Sequence, residues 1–145
     1  VTDRDRDWEI YVRNADGSSP QRLTRSSGFD IEPSWSPDGA RIAFASKRDG
    51  NYEIYVMNTD GTTQRRLTNH PTEDQHPAWS PDSSLIAFVT RRDGNFEIYV
   101  VCADGTRPRN MTTSSPTPDW DPAWASPRAL AIRPPSRLPF LPWRP

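Results

Sequence analysis

Tyr52-Glu53-Ile54-Tyr55-Val56 repeats Trp8-Glu9-Ile10-Tyr11-Val12 at a distance of 44 residues, and Phe96-Glu97-Ile98-Tyr99-Val100 repeats it at the same distance again. Asp16-Gly17, Asp60-Gly61 and Asp104-Gly105 keep that period, as do Leu23-Thr24, Leu67-Thr68 and Met111-Thr112. Pro33-Ser34-Trp35-Ser36-Pro37-Asp38 returns as Pro77-Ala78-Trp79-Ser80-Pro81-Asp82. Pro122-Ala123-Trp124 follows 45 residues later, and the match then degrades. A fixed period of this length marks a stacked or radial array of one supersecondary unit.

One period holds four short strand signals. The segment around Pro33 to Ser36 carries a large aromatic, and Pro37-Asp38-Gly39 is a turn. Arg41 to Ser46 is small and apolar. Asp49-Gly50-Asn51 supplies residues that accept positive φ, as tight hairpins demand. Tyr52 to Met57 is aromatic and β-branched, and Gln64 to Leu67 forms a shorter, more polar fourth strand after Asp60-Gly61. Along the third strand, Tyr52, Ile54 and Val56 alternate with Tyr55 and Met57, so apolar groups stand on both faces. A sheet sandwiched between neighbours needs that pattern, and a four-stranded unit of this length is a β-propeller blade. A β-sandwich shares the turn spacing but requires no such faithful repeat. The expected fold is therefore all-β, a propeller of four-stranded antiparallel blades with about three blades per chain.

Composition narrows the function. The 145 residues carry 18 basic and 19 acidic side chains, a formal charge of −1. That balance argues against nucleic-acid or membrane-surface partners, which favour a basic excess. Sixteen prolines argue against long helices, and no apolar run is long enough to span a bilayer. Cys102 is the only cysteine, so no internal disulfide forms, and its reading is a half-buried strand residue. The opening Val-Thr-Asp-Arg-Asp has no signal-peptide pattern.

Trp-Ser-Pro-Asp-Gly at 35–39, Ile-Ala-Phe at 42–44, Arg-Asp-Gly-Asn at 48–51, Glu-Ile-Tyr-Val at 53–56 and Asp-Gly-Thr at 60–62 resemble the WD-like repeat of TolB-type propellers. They also resemble the propeller domain of prolyl-oligopeptidase-type peptidases. The resemblance covers roughly residues 1–126 and is specific for fold rather than function. It implies a six-bladed ring, a protein partner bound at a channel opening, no catalysis, and a periplasmic or extracytoplasmic bacterial setting. Some related propellers are polysaccharide lyases with a histidine-bound metal, which is the enzyme alternative.

The phase of the repeats predicts strands C and D of a split blade over 1–28 and complete blades over 29–68 and 69–112. Strands A and B of a degenerate split blade are expected over 113–133, in Asp121 to Ala125 and Ala129 to Ile132. A Pro/Arg-rich, disordered tail is expected over 134–145. Unpaired edges are an aggregation hazard, and a homodimer closing a six-bladed ring through two composite blades would remove them. A propeller fragment with no function beyond self-assembly is the remaining alternative.

Each blade entrance carries an acid. Asp30, Asp74 and Asp119 stand three residues before Pro33, Pro77 and Pro122, with Glu32, His76 and Asp121 directly before those prolines. The D–A loop leads to the inner strand beside the axial channel, so these six residues are the channel-mouth candidates for a small ligand, Ca2+ or another divalent cation. The competing reading is that each aspartate accepts backbone N–H groups in its own loop. Glu9, Glu53 and Glu97 sit inside strands and need partners, for which Arg48 and Arg92 are candidates. Asp3, Asp5 and Asp7 align with the hairpin turn Lys47 to Asn51 and lack the glycine and glutamate of a calcium loop. There is no Gly-x-Ser-x-Gly elbow and no glycine-rich phosphate loop, and His70 and His76 are six residues apart in one loop.

Overall fold

The computed structural model describes residues 1, 7–113 and 117–125. These form strands and turns, with no helix among them. The first pair is β1 (Tyr11–Val12) with β2 (Gln21–Arg22). A four-stranded antiparallel sheet follows in the order β3 (Asp30–Trp35), β4 (Arg41–Ser46), β5 (Glu53–Asn58), β6 (Arg65–Arg66), strands A to D of one blade. The second sheet repeats it with β7 (Asp74–Trp79), β8 (Leu85–Thr90), β9 (Glu97–Cys102) and β10 (Arg109–Asn110). Strand neighbours in space are neighbours in sequence, so each sheet is an up-and-down propeller blade.

Two-faced strands make this architecture. Ala43, Ile54, Val56 and Leu67 of the first complete blade pack against Trp79, Ile86, Phe88 and Val101 of the second. The opposite face of the first blade gives Ile42, Phe44, Tyr55 and Met57, which pack on Ile10 and Leu23 behind β1 and β2. Residues of alternating parity in β4 and β5 thus serve two different cores.

The inner strands carry a shared irregularity. The ladder pairs Ile31 with Ala45 and Ser34 with Ala43, leaving Glu32 and Pro33 opposite Phe44 alone. His76 and Pro77 stand likewise opposite Phe88. Proline has no N–H for the ladder, and the bulge absorbs it. The residue before each proline takes a left-handed φ: 55° at Glu32, 54° at His76 and 54° at Asp121. Residues 121–125 form no ladder, unlike the strand expected there. Even so, Asp121 holds the bulge conformation, and the Trp124 indole donates to Ala78 O at 3.0 Å. The strand expected over 129–132 and the tail over 134–145 lie outside the described residues.

Glycine matters most at the turn before strand D. Gly61 has φ +86°, and a Cβ there would lie 2.8 Å from Leu23 O of the preceding blade. Gly105 repeats the approach to Leu67 O at φ +85° and 3.2 Å. Only glycine meets both demands, so the blades close together at this turn.

Candidate functional site

The six sequence candidates divide into two groups. Asp30 and Asp74 begin the inner strands and are fully buried. Arg48 Nη2 donates to Asp30 Oδ2 at 3.0 Å, and Ser26 Oγ donates to the same oxygen at 3.0 Å. Arg92 Nη2 reaches both oxygens of Asp74, at 2.9 and 2.8 Å. Each guanidinium comes from the B–C turn and also lies over the two aromatic rings of its blade. Arg48 is 5.5 Å from Phe44 and 4.6 Å from Tyr55; Arg92 is 5.5 Å from Phe88 and 4.5 Å from Tyr99. Burial pushes the Asp74 carboxyl up, and hydrogen bonds from Thr90 and Arg92, with the Arg92 charge, oppose that shift. These two carboxylates hold the blade entrance together and are engaged by cations of the same chain. Asp119 is half-buried at the third entrance, and its Oδ2 is buried with no hydrogen-bond partner among the described residues.

Glu32, His76 and Asp121 do come together. Glu32 and His76 occupy the bulge position of β3 and β7, and Asp121 takes the same left-handed φ directly before Pro122. His76 N donates to Glu32 Oε2 at 2.7 Å. His76 Nδ1 lies 3.5 Å from Glu32 Oε1 and 3.9 Å from Asp121 Oδ1. The result is an acid–base–acid row with one member per blade, solvent-accessible at its Asp121 end. Among the described residues no three His, Cys, Asp or Glu side chains gather as a metal-binding group. His70 is occupied separately, its Nδ1 2.7 Å from Thr72 Oγ1. The two histidines therefore do not converge on one point.

The strand glutamates need a correction. Arg48 and Arg92 are taken by the aspartates, and strand D supplies the glutamates' cations instead. Arg22 Nη2 donates to Glu9 Oε1 at 2.6 Å, and Arg66 Nη2 to Glu53 Oε1 at 2.7 Å. Thr68 Oγ1 donates to Glu53 Oε2 at 2.6 Å and accepts Ile54 N at 2.9 Å. Thr24 and Thr112 bond to Glu9 and Glu97 in the same way. In the last blade Asn110 takes the place of the arginine and turns to Asp93 at 2.7 Å. The period of 44 that joins Arg22 to Arg66 was the available signal for this pairing.

A second feature of the loop face lies beyond the sequence candidates. Asp30 N donates to Trp8 O at 2.7 Å, Asp74 N to Tyr52 O at 2.8 Å, and Asp119 N to Phe96 O at 2.9 Å. These bonds stitch the start of strand C in one blade to the blade entrance of the next. They set Trp8, Phe29, Tyr52, Phe96 and Trp120 along one rim. Trp8, Phe29 and Trp120 are exposed. Phe96 and Trp120 stack with centroids 3.7 Å apart. Arg91 lies 4.7 Å above Phe96, and Lys47 lies 5.4 Å from Tyr52. Aromatic rings beside cations are the composition of protein-interaction surfaces.

Residues 1–68 match the family described as the TolB beta propeller domain. A protein TolB homolog of Chlorobium chlorochromatii is 50% identical over 40 residues, 28% of this chain and 9% of that protein. The Tol-Pal system protein TolB of Bordetella pertussis is 48% identical over 46 residues, 32% of this chain and 10% of that protein. A solved structure described as TolB from Agrobacterium tumefaciens matches with a TM-score of 0.71 and 31% identity, over 79% of this chain and 40% of that one. TolB from Acinetobacter baumannii matches with a TM-score of 0.65 and 26% identity, over 74% of this chain and 27% of that one. The matched segments thus span about a tenth of the curated relatives and well under half of the solved ones.

Proposed function

We propose that this chain, built of repeats of the TolB-type WD-like β-propeller family, is a non-catalytic scaffold whose loop face receives a protein partner. The observation that carries the reading is the rim of Trp8, Phe29, Phe96 and Trp120 with Lys47 and Arg91 beside it. Such rings supply large contact area at low entropic cost, and their cations favour an acidic partner surface. The buried Asp–Arg and Glu–Arg–Thr groups, in contrast, serve the blades themselves. Two relatives carry the name of a Tol-Pal system or of TolB, which makes a Pal-type protein in the bacterial periplasm the first partner to test. Two copies of this chain close one six-bladed ring in this reading, each lending half of two composite blades.

The test is a titration of the chain with the Pal component of the Bordetella pertussis system, read by intrinsic tryptophan emission. Saturable binding in the range of ~1–100 μM is expected, weakened about tenfold or more by Trp120→Ala. A flat titration with folded protein would overturn the partner assignment. A second reading, a small charged ligand in the axial channel, is favoured only by the Glu32–His76–Asp121 row. Calorimetric titration with calcium checks it, and heats unaltered by Glu32→Gln would dismiss it.

A further inference from the structure

We infer that Arg91, held over Phe96, is the group that takes a carboxylate of the protein partner, so that the loop face reads an acidic segment at one blade junction. The inference rests on the protein-binding reading above and names the residue that sets its specificity.

Four arginines among the described residues lie against an aromatic ring. Three of them also hold an oxygen of the chain: Arg41 donates to Ser83 O at 2.9 Å, Arg48 to Asp30 at 3.0 Å and Arg92 to Asp74 at 2.8 Å. Arg91 is the fourth. Its guanidinium lies 4.7 Å from the Phe96 centroid, and its donors meet no oxygen among the described residues. Phe96 also stacks with Trp120, which joins the three groups in one cluster. A ring fixes a guanidinium without taking the place of an acceptor, and the planar fork of N–H groups matches a carboxylate.

The junction one repeat earlier shows what has changed. Its turn carries Lys47 and Tyr52, 5.4 Å apart. Burial and the charges of Glu73 and Glu32 push the Tyr52 phenol up, so that junction already holds anions. Both acids are replaced around Phe96: His76 stands at the repeat position of Glu32, and Pro118 at that of Glu73. Trp120 takes the place of Gln75. Asp121, next to Trp120, faces His76 Nδ1 at 3.9 Å. An incoming carboxylate is therefore repelled at the first junction and taken at the second.

Blades add side to side, and their turns stay open when they do. The blade that carries Lys47 is packed on both faces, yet Lys47 is exposed. Arg91, one repeat on in the same turn, is exposed likewise, and a further blade against β7–β10 leaves it so.

In the experiment, fluorescein-labelled octa-glutamate is titrated with the 145-residue chain and read by anisotropy, with octa-lysine as control. Saturable binding of octa-glutamate alone is expected. Arg91→Gln should weaken it about tenfold, Arg91→Lys about threefold because the charge stays and the fork is lost, and Lys47→Gln less than about twofold. Each variant should keep the far-ultraviolet circular dichroism of the parent, since both side chains are exposed. No binding of octa-glutamate, or equal losses with Arg91→Gln and Lys47→Gln, overturns the inference. Displacement by inorganic phosphate beyond that by chloride at matched ionic strength overturns the carboxylate assignment. The Pal titration repeated with Arg91→Gln separates this inference from the reading it rests on. Pal binding undiminished by that change overturns Arg91 as the reader and leaves the scaffold standing. A flat Pal titration beside Arg91-dependent octa-glutamate binding overturns Pal as the partner and supports the inference.

Discussion

Leu67 and Met111 hold the same place in consecutive blades, yet one is 9% exposed and the other 56%. Trp79 and Trp35 show the same contrast from the opposite side. The residues are chemically alike and their strands are paired alike, so neither composition nor local conformation makes the difference. Burial at these positions belongs to the junction between two blades. A blade of this protein is half of two cores, and its own sequence completes neither. Among the described residues the junction between β3–β6 and β7–β10 is fully built.

The contrast can be broken most sharply at its centre. Phe88 is fully buried in the complete junction, and Phe88→Ala should cost about 3–5 kcal/mol in urea unfolding. Met111→Ala, at an exposed position, should cost about 1 kcal/mol or less. Equal costs would mean that Met111 is covered in solution. Next comes the cation of strand D. Arg66→Met strips a buried Glu53 of its guanidinium and should cost about 2–3 kcal/mol. Asn110→Arg, which restores the arginine of the other repeats beside Glu97, should raise the melting temperature; a fall would show that the last blade has closed over that space.

The glycines before strand D give a smaller effect. Gly17, Gly61 and Gly105 share the left-handed φ, but a Cβ at Gly17 would meet nothing within 4 Å. Gly17→Ala should cost about 1 kcal/mol for backbone strain alone. Gly61→Ala should cost at least ~1 kcal/mol more, because Leu23 O blocks the added carbon. Identical costs in chemical denaturation would remove the close approach as a determinant of blade spacing.

The smallest effect is electrostatic. Hydrogen bonds from Ser80 and Ser84 hold the Asp82 carboxyl down at about 2, and those from Ser36 and Ala40 lower that of Asp38. A folded-state value below the unfolded one gives stability that is present above the ordinary carboxylate range and is lost as pH falls through about 2. The buried Asp74 carboxyl, shifted up, acts in the opposite sense. Melting curves should decline below about pH 4, and Asp38→Asn with Asp82→Asn should flatten that decline. An unchanged slope would place acid sensitivity elsewhere.

The 44-residue period carried the fold, because a faithful repeat of four strands constrains topology more than any single strand does. Arg41 to Ser46 appears as read, and the third strand begins at Glu53 instead of Tyr52. The inner strand departs most. It begins at Asp30, three residues before the proline that seemed to open it. A proline is tolerated in mid-strand here because the bulge turns its missing N–H away from the ladder. The nearness of Glu32, His76 and Asp121 was legible in their shared position. The burial of Asp30 and Asp74 was not, since it depends on an arginine 18 residues on folding back over its own blade's aromatic rings. The glutamate partners had a signal in the period that joins Arg22 to Arg66, but the turn arginines Arg48 and Arg92 keep the same period, so repeat spacing alone did not choose between them.

The tryptophan-to-carbonyl bond between inner strands has an implication for descent. Donor and acceptor are adjacent residues of one unit, so every copy of the unit arrives with both halves of the fastening. Tandem repetition of such a unit therefore lengthens the array without a new kind of interface.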